Sequence, residues 1–292
     1  MSRVDDGPRS GVAGWPVAHS RSPLIHTHWL KELDLSGTYE RFAVLPGEFS
    51  RFAAEIGRHG LVGTNVTVPH KEAAFSACDR RTPVAEALGA VNTLWRDGAL
   101  LWGDNTDVEG FLANMDEGAP GWAGRSKTAV VIGAGGAARA VVQALTSRGL
   151  RRIAIVNRTP TRAVALAVQF GRTTVASAWG ALNAELSEAD LLVNASSLGM
   201  EGQPPLEIDL DPLRREAVVA DIVYTPLRTP LVEAARARGL SAVEGVGMLL
   251  HQAVPAFERW FGQRPRVSAA LRALVEADIR ATHKEKRWSS PG

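Results

Sequence analysis

Apolar runs separated by glycine, proline and polar turns divide the chain into two successive stretches of alternating strand and helix. In the first, residues 11–15 read as a strand. Residues 23–34 read as a helix with Leu24, Ile25, Trp29 and Leu33 near one face. A strand over 38–44 and a helix over 46–58 follow. Residues 61–68 form a third strand, whose period of two sends Asn65 and Thr67 to one face and Val66 and Val68 to the other. Pro69-His70-Lys71 opens the next helix. Residues 90–95 and 99–103 pair as a hairpin turning at Asp97-Gly98. A helix then runs to about Met115. Thr106 and Glu109 have capping-box spacing, so Thr106 is the expected N-cap and Asp107 the first helical residue, where the helix dipole favours an anion.

The second stretch has another texture. Residues 128–132 are continuously apolar and β-branched, the signature of a strand buried on both faces of a parallel sheet. A helix over 137–147 and a strand over 153–156 complete a βαβ unit. Apolar runs at 189–194 and 218–224 suit further parallel strands, and 231–238 a helix. The expected fold class is α/β, with a nucleotide-binding Rossmann domain preceded by a separate α/β unit. The helix starting at Asp107 is expected at the seam between them, and clefts between domains are common sites.

Composition narrows the partners more than the fold. The chain has 292 residues, of which 45% are apolar, enough for a substantial core. A net charge of +2 gives no electrostatic case for nucleic acid. The single cysteine, Cys78, excludes an intrachain disulfide. The opening MSRVDDGPRS lacks a signal-peptide core, and no apolar run approaches membrane-spanning length, so the expectation is a soluble cytoplasmic protein, monomer or homodimer. The polar tail from Lys284 is expected to fray. The seven histidines show no zinc-ligand spacing, and no metal site is expected.

Candidate chemistry gathers at four places. Gly133, Gly135 and Ala138 fill the small-residue positions of G-x-G-x-x-G/A after a strand and before a helix, whose unpaired N–H groups suit a pyrophosphate. The next strand ends not in the acid that holds an NAD ribose but in Asn157-Arg158-Thr159, with Arg162 one turn on. Two guanidinium groups there suit a 2′-phosphate and hence NADP. Near the start, Ser20 and Ser22 flank a helix N-terminus. Ser22 suits an N-cap before Pro23, and together the two hydroxyls can hold a small carboxylate. Finally, Asn65, Thr67 and Lys71 cluster at a strand's C-terminal end, where open α/β sheets bind ligands.

These residues sit in GWPVAHSRSP, GTNVTVPHK, GAVNTL, GDNTD, VIGAGGAARA with VNRT, DIVYTPLRTPLV and GVGMLLHQA. In that order and spacing they resemble the shikimate dehydrogenase family along nearly the whole chain. The resemblance implies a split substrate domain (1–106 with the helices of 245–292) around an NADP-binding domain (107–244). It implies reversible reduction of 3-dehydroshikimate to shikimate in aromatic biosynthesis, with these small molecules as substrates and no membrane partner. Lys71 and Asp107 match the catalytic acid/base pair. Ser20 and Ser22 match the hydroxyls on the substrate carboxylate, with Tyr224 nearby, and Asn65, Thr67, Asn92 and Gln252 match groups around the ring. The cofactor positions are Gly133, Gly135, Gly136, Ala137, Asn157, Arg158, Thr159, Arg162 and Gly245. Two departures stand out. Val108 and Glu109 follow Asp107 where the family commonly has glycine, which implies a stiffer hinge. Pro255 falls in a helix the family usually leaves unbroken, which implies a displaced Gln252. The competing readings are a quinate/shikimate dehydrogenase using NAD, which calls for an acid at Asn157 or Arg158, and a non-catalytic NADP sensor.

Overall fold

The computed structural model describes residues 7–289, with side chains through Thr282. The chain divides into two compact units. One takes the residues up to Asp107 and Gln252–Val275; the other takes Val108–His251 and the residues from Glu276 on.

The first unit is built on a mixed sheet of six strands: β1 (Arg9–Gly14), β2 (Thr38–Ala43), β3 (Gly63–Val66), β4 (Arg80–Arg81), β5 (Thr93–Asp97) and β6 (Leu100–Asp104), in the order β2-β1-β3-β5-β6-β4. β1 lies parallel to both β2 and β3, β5 is antiparallel to β3 and β6, and β4 is parallel to β6. One apolar cluster gathers Ala13, Val66 and Leu94 with Phe49, Ile56 and Leu61. Another gathers Val12 and Tyr39 with Ala256 and Trp260 of the helix Ala253–Phe261. Successive β1 residues Val12 and Ala13 thus serve opposite faces, as strand pleating requires. The indole N–H of Trp260 donates to the Leu94 carbonyl at 3.1 Å, so the helix Ala253–Phe261 is tied into this sheet as well as packed on it.

The second unit carries a parallel sheet of β7 (Thr128–Ile132), β8 (Arg152–Val156), β9 (Thr174–Ser177), β10 (Leu191–Asn194), β11 (Val218–Asp221) and β12 (Ser241–Val243), ordered β12-β11-β10-β7-β8-β9. The strand order reverses between β10 and β7, the switch point at which doubly wound folds bind nucleotides. Val130, Ile132, Ala154, Val156, Leu192 and Val219 join one core cluster. Their neighbours Ala129, Val131, Ile153 and Ile155 are equally buried outside it. Burial on both faces is why these strands read as unbroken apolar runs.

Several expected elements shift. The helix expected over 46–58 is Phe49–Glu55, because Gly47 at φ +89° keeps the preceding residues in a turn. The run 218–224 yields only Val218–Asp221, since the Asp221 carboxylate accepts the Val223 N–H at 3.0 Å and turns the chain aside. The hairpin loop is Gly98-Ala99 rather than Asp97-Gly98, with Asp97 still paired to Leu100. Helix Ala269–Ser289 continues through Lys284, where fraying was expected. The rest of that tail, from Ser290, and the N-terminal Met1 to Asp6 lie outside the described residues. No helix among the described residues is long and apolar enough to cross a membrane.

Candidate active site

The first unit gathers most of the sequence-predicted polar residues into one hydrogen-bonded group. Lys71 is the first residue of helix Lys71–Ala77, and its backbone carbonyl accepts the Val91 N–H at 2.9 Å. Its Nζ donates to Asp107 Oδ2 at 2.5 Å. The pair is only partly exposed, 24% for the Lys71 side chain and 11% for Asp107, so solvent screens it less than a surface ion pair. Asp107 opens helix Asp107–Gly118, as expected. Its other oxygen, Oδ1, accepts from Asn92 Nδ2 at 2.8 Å, and its backbone N–H donates to Asn105 Oδ1 at 3.1 Å. Asn92 is buried and oriented in turn, its Oδ1 accepting from the Thr106 N–H and the Thr93 hydroxyl, both at 2.9 Å. The carboxylate is therefore fixed at both oxygens. A lysine ammonium has three donors, and Asp107 is the one side chain among the described residues that takes a bond from Lys71, so donors remain for a ligand.

Around this pair the other residues fall into distinct situations. Asn65 is buried with its amide fully occupied: Oδ1 accepts from the Tyr39 hydroxyl at 2.6 Å, while Nδ2 donates to the Asn92 carbonyl at 3.2 Å and to Thr93 Oγ1 at 3.1 Å. Thr67 follows β3, its N–H donating to Ala13 O at 2.9 Å. Its methyl lies where a Cβ at Gly14 would come within 2.4 Å, so Gly14 is what allows Thr67 to sit against β1. Gln252 occupies the break between helices Val246–His251 and Ala253–Phe261, and its carbonyl accepts from the Thr106 hydroxyl at 2.8 Å. Pro255 is the third residue of the second of these helices. It has no N–H to give the His251 carbonyl, and the helix breaks there rather than at Pro255 itself.

The serine pair departs from expectation. Arg21, not Ser22, holds the N-cap position, and no side chain caps this helix. Ser22 is its first residue, with its N–H directed at Ser20 Oγ at 3.4 Å. The Ser20 hydroxyl lies 3.3 Å from that of Ser22, and Arg41 on β2 fixes the Ser20 carbonyl with bonds of 3.1 and 2.6 Å. With capping removed as an explanation, two adjacent hydroxyls stand at a helix start with no acid in its first turn.

In the second unit, Gly133 follows β7 at φ +111°, and a Cβ there would meet the Ala195 backbone at 2.9 Å. Both constraints demand glycine. Gly135 and Gly136 are different: a Cβ on either would meet nothing within 4 Å. Gly135 is the N-cap of helix Gly136–Ser147, which has no side-chain cap and no acid in its first turn. The space beside Gly135 and Gly136 is therefore open at an uncapped helix start, whose dipole suits a phosphate. At the end of β8, Asn157 Nδ2 donates to the Thr159 carbonyl at 2.9 Å and steadies the turn into helix Pro160–Phe170, whose N-cap is Thr159. Arg158 and Arg162 are exposed, and no ion pair or hydrogen bond from either guanidinium is found among the described residues. Two free guanidinium groups beside a strand end that carries no acid suit a phosphate monoester better than a ribose diol.

Two further predicted residues lie in this unit. Tyr224 is in the loop after β11. Gly245 packs backbone to backbone, since a Cβ there would meet Ile222 O at 2.4 Å. Sequence reasoning missed the group that organises this end of the sheet. Asp221 accepts from Asn194 Nδ2 at 2.9 Å, the Thr229 hydroxyl at 2.6 Å and the Val223 N–H at 3.0 Å. Burial outweighs these three donors and raises its carboxyl to about 6.

Comparison with known proteins gives the family. Family models described as shikimate dehydrogenase substrate binding domain, shikimate/quinate 5-dehydrogenase and shikimate 5′-dehydrogenase C-terminal domain match residues 12–94, 121–200 and 245–275. The chain belongs to the shikimate dehydrogenase family. It is 56% identical to the NADP(+) shikimate dehydrogenase of Methylocella silvestris, over 93% of this chain and 97% of that one. Among solved structures, the Thermus thermophilus shikimate 5-dehydrogenase in complex with NADP(H) and shikimate is 37% identical, with a TM-score of 0.81 over 94% of this chain and 99% of that one. A quinate dehydrogenase from Corynebacterium glutamicum in complex with NAD is 31% identical, with a TM-score of 0.86 over 93% and 99%. The α/β fold with a Rossmann-type unit is thus common to family members named for two acids and two cofactors.

Proposed function

We propose that this chain catalyses the reversible, NADPH-dependent reduction of 3-dehydroshikimate to shikimate, a step in the biosynthesis of aromatic amino acids. The Lys71–Asp107 pair, held at 2.5 Å with Asn92 bracing the carboxylate, is the observation that carries the reading. Ketone reduction requires a hydride at carbon and a proton at oxygen, and bound NADPH supplies the hydride. Lys71 Nζ gives the proton to the carbonyl oxygen and, in the reverse direction, accepts it from the hydroxyl. Asp107 aims the ammonium and compensates its charge. Ser20 and Ser22 hold the substrate carboxylate, with Thr67, Asn92 and Gln252 around the ring, and Tyr224 matches the family residue near that carboxylate. Asn65, its amide already occupied, braces this group.

The residues of the second unit fit NADP. The uncapped helix start at Gly135, Gly136 and Ala137 suits the pyrophosphate, while Asn157, Arg158, Thr159 and Arg162 suit the 2′-phosphate. Gly133 and Gly245 keep the backbones in register. The proposed substrate domain is 1–106 with the helices of 245–292 and the proposed NADP domain 107–244, whereas the compact units group 245–251 and the residues from Glu276 on with the latter. The single cysteine, which allows no intrachain disulfide, agrees with a cytoplasmic enzyme, and a monomer or homodimer is the assembly we propose.

Catalytic efficiency measured on shikimate and quinate, each with NADP and NAD, tests the reading. Shikimate with NADP is expected to exceed every other combination. Quinate matching shikimate, or NAD matching NADP, would replace it with the quinate/shikimate reading. No turnover of either acid would leave the non-catalytic one.

A further inference from the structure

Asn92 braces the Asp107 carboxylate, and something must brace Asn92 in turn. Its backbone is pinned by the sheet: the N–H donates to the Asp104 carbonyl at 2.9 Å, and the carbonyl accepts the Val66 N–H at 2.7 Å. Its side chain has no such intrinsic hold, because the terminal torsion of asparagine has broad, roughly two-fold wells. Bonds to the amide must set its angle. The next residue, Thr93, opens β5 and is 2% exposed. Its hydroxyl meets Asn92 Oδ1 at 2.9 Å and Asn65 Nδ2 at 3.1 Å, and it has no role so far.

The direction of each bond follows from groups that can only donate or only accept. The Thr106 backbone N–H can only donate, so the Asn92 atom facing it at 2.9 Å is Oδ1. The Asn92 backbone carbonyl can only accept, so the Asn65 atom facing it at 3.2 Å is Nδ2. The Thr93 hydroxyl therefore stands between a donor and an acceptor: it accepts from Asn65 and gives its one proton to Asn92 Oδ1. Asn92 Nδ2 is left facing Asp107 Oδ1 at 2.8 Å and the Thr106 hydroxyl at 3.1 Å. That hydroxyl also lies 3.2 Å from Oδ1, but the Gln252 carbonyl, at 2.8 Å, is nearer for its proton. From the Tyr39 hydroxyl through Asn65, Thr93 and Asn92 to the Asp107 carboxylate, every bond donates the same way, and bonds so aligned polarise one another. The Thr106 N–H alone would leave the Asn92 amide free to swing about one bond. The second bond, from Thr93, fixes its plane.

We propose that Thr93 is a positioning residue for the reaction: its hydroxyl holds the Asn92 amide at the angle from which it donates to Asp107, and so keeps that carboxylate aimed at Lys71. This rests on the functional reading above, which makes Lys71 and Asp107 the acid/base pair. Two substitutions separate the hydroxyl from the packing. Thr93→Val removes the hydroxyl and keeps the branched shape, while Thr93→Ser keeps the hydroxyl and removes the methyl. With one oriented, buried hydrogen bond lost, kcat/KM for shikimate should fall about tenfold in Thr93→Val and stay within about threefold of wild type in Thr93→Ser. KM for NADP is unchanged in both. The effect should pass through Asn92, so adding Thr93→Val to Asn92→Ala should cost no more than about a further twofold.

A kcat/KM for Thr93→Val within about threefold of wild type would overturn the proposal, whatever its melting temperature. So would an equal fall in Thr93→Ser, which would assign the effect to lost packing, or a larger further loss in the Asn92→Ala background. Circular dichroism at the assay temperature reports the fold of each variant. Should Thr93→Val not fold, Thr93→Ala against Thr93→Ser makes the same comparison. Wild-type turnover of shikimate with NADP, measured alongside, separates the two claims. Its absence defeats the functional reading, whereas its presence with an unaltered Thr93→Val efficiency defeats only the role of Thr93.

Discussion

The proposed substrate site in one unit and the proposed cofactor site in the other are built on opposite principles. In the first unit, the polar groups of Asn65, Asn92, Thr93, Thr106 and Asp107 are partnered by one another before any ligand arrives. In the second, most groups assigned to the cofactor have no side-chain partner among the described residues: a helix start with no side-chain cap beside two glycines, and two exposed arginines whose guanidinium groups make no ion pair or hydrogen bond. The difference follows from the ligands. A small, densely hydroxylated acid must be held at a defined angle to one proton donor, and misplacement by an ångström is costly in rate, so the groups around it must already be oriented. A dinucleotide carries its own multiple charges. Open N–H groups and mobile guanidinium groups can meet those charges without being prearranged.

The sharpest way to break this comparison is to remove one member of the preorganised half. Lys71→Ala should lower kcat by about a hundred- to ten-thousand-fold, the usual cost of losing a positioned acid/base, while KM for NADP changes little. Steady-state kinetics at neutral pH would decide it; a variant with wild-type turnover removes Lys71 from the mechanism.

Acid should separate the halves next. His26 is fully buried in the first unit, with neither ring nitrogen hydrogen-bonded and with Trp29, Tyr39, Phe257 and Trp260 around it. Burial lowers its pKa from 6.5 to about 3. The unfolded chain therefore binds a proton below pH 6.5 that the folded chain refuses until about pH 3, and stability is lost as pH falls through that window. The loss is at most about 1.4 kcal/mol per pH unit. Asp221 in the second unit runs the other way. With its carboxyl raised to about 6, the folded form binds the extra proton between 3.8 and 6, so acidification there favours the fold. Urea midpoints at pH 7.5 and 5 should fall less in His26→Leu than in wild type and more in Asp221→Asn. Equal falls in all three would exclude both groups.

The smallest expected effect falls on the open half. Arg158→Ala should raise KM for NADP about tenfold, the worth of one charge-assisted bond at an exposed site, and leave KM for NAD nearly unchanged. Equal changes for both cofactors would show that Arg158 meets a group they share.

Legibility in the sequence followed the same division. The nucleotide turn was readable because its demands are local: a glycine at positive φ, small residues at a helix start and arginines just past a strand all sit within thirty residues of chain. The strands that went unread, β4, β9 and β12, are all sheet edges of two to four residues, too short and too exposed to carry a period. Ser22 read as a cap because Ser-Pro before an apolar helix fits that role, yet the chain starts the helix at Ser22 itself and sets its hydroxyl beside that of Ser20.

By itself the sequence determined the α/β class and the two successive units, which are encoded in short-range pattern, and it offered the cofactor turn and, through the family motifs, Lys71 and Asp107 as candidates. Only the tertiary structure decided how these groups work together. It turned Asn65 inward, put Tyr39 across β1 to meet it, placed Asn92 under Asp107 and hid His26 behind the phenol. Those relations join residues 13 to 27 positions apart through strand register and burial. Hydrogen-bond direction across a sheet is set by which strand lies beside which, and no local period along the chain records it.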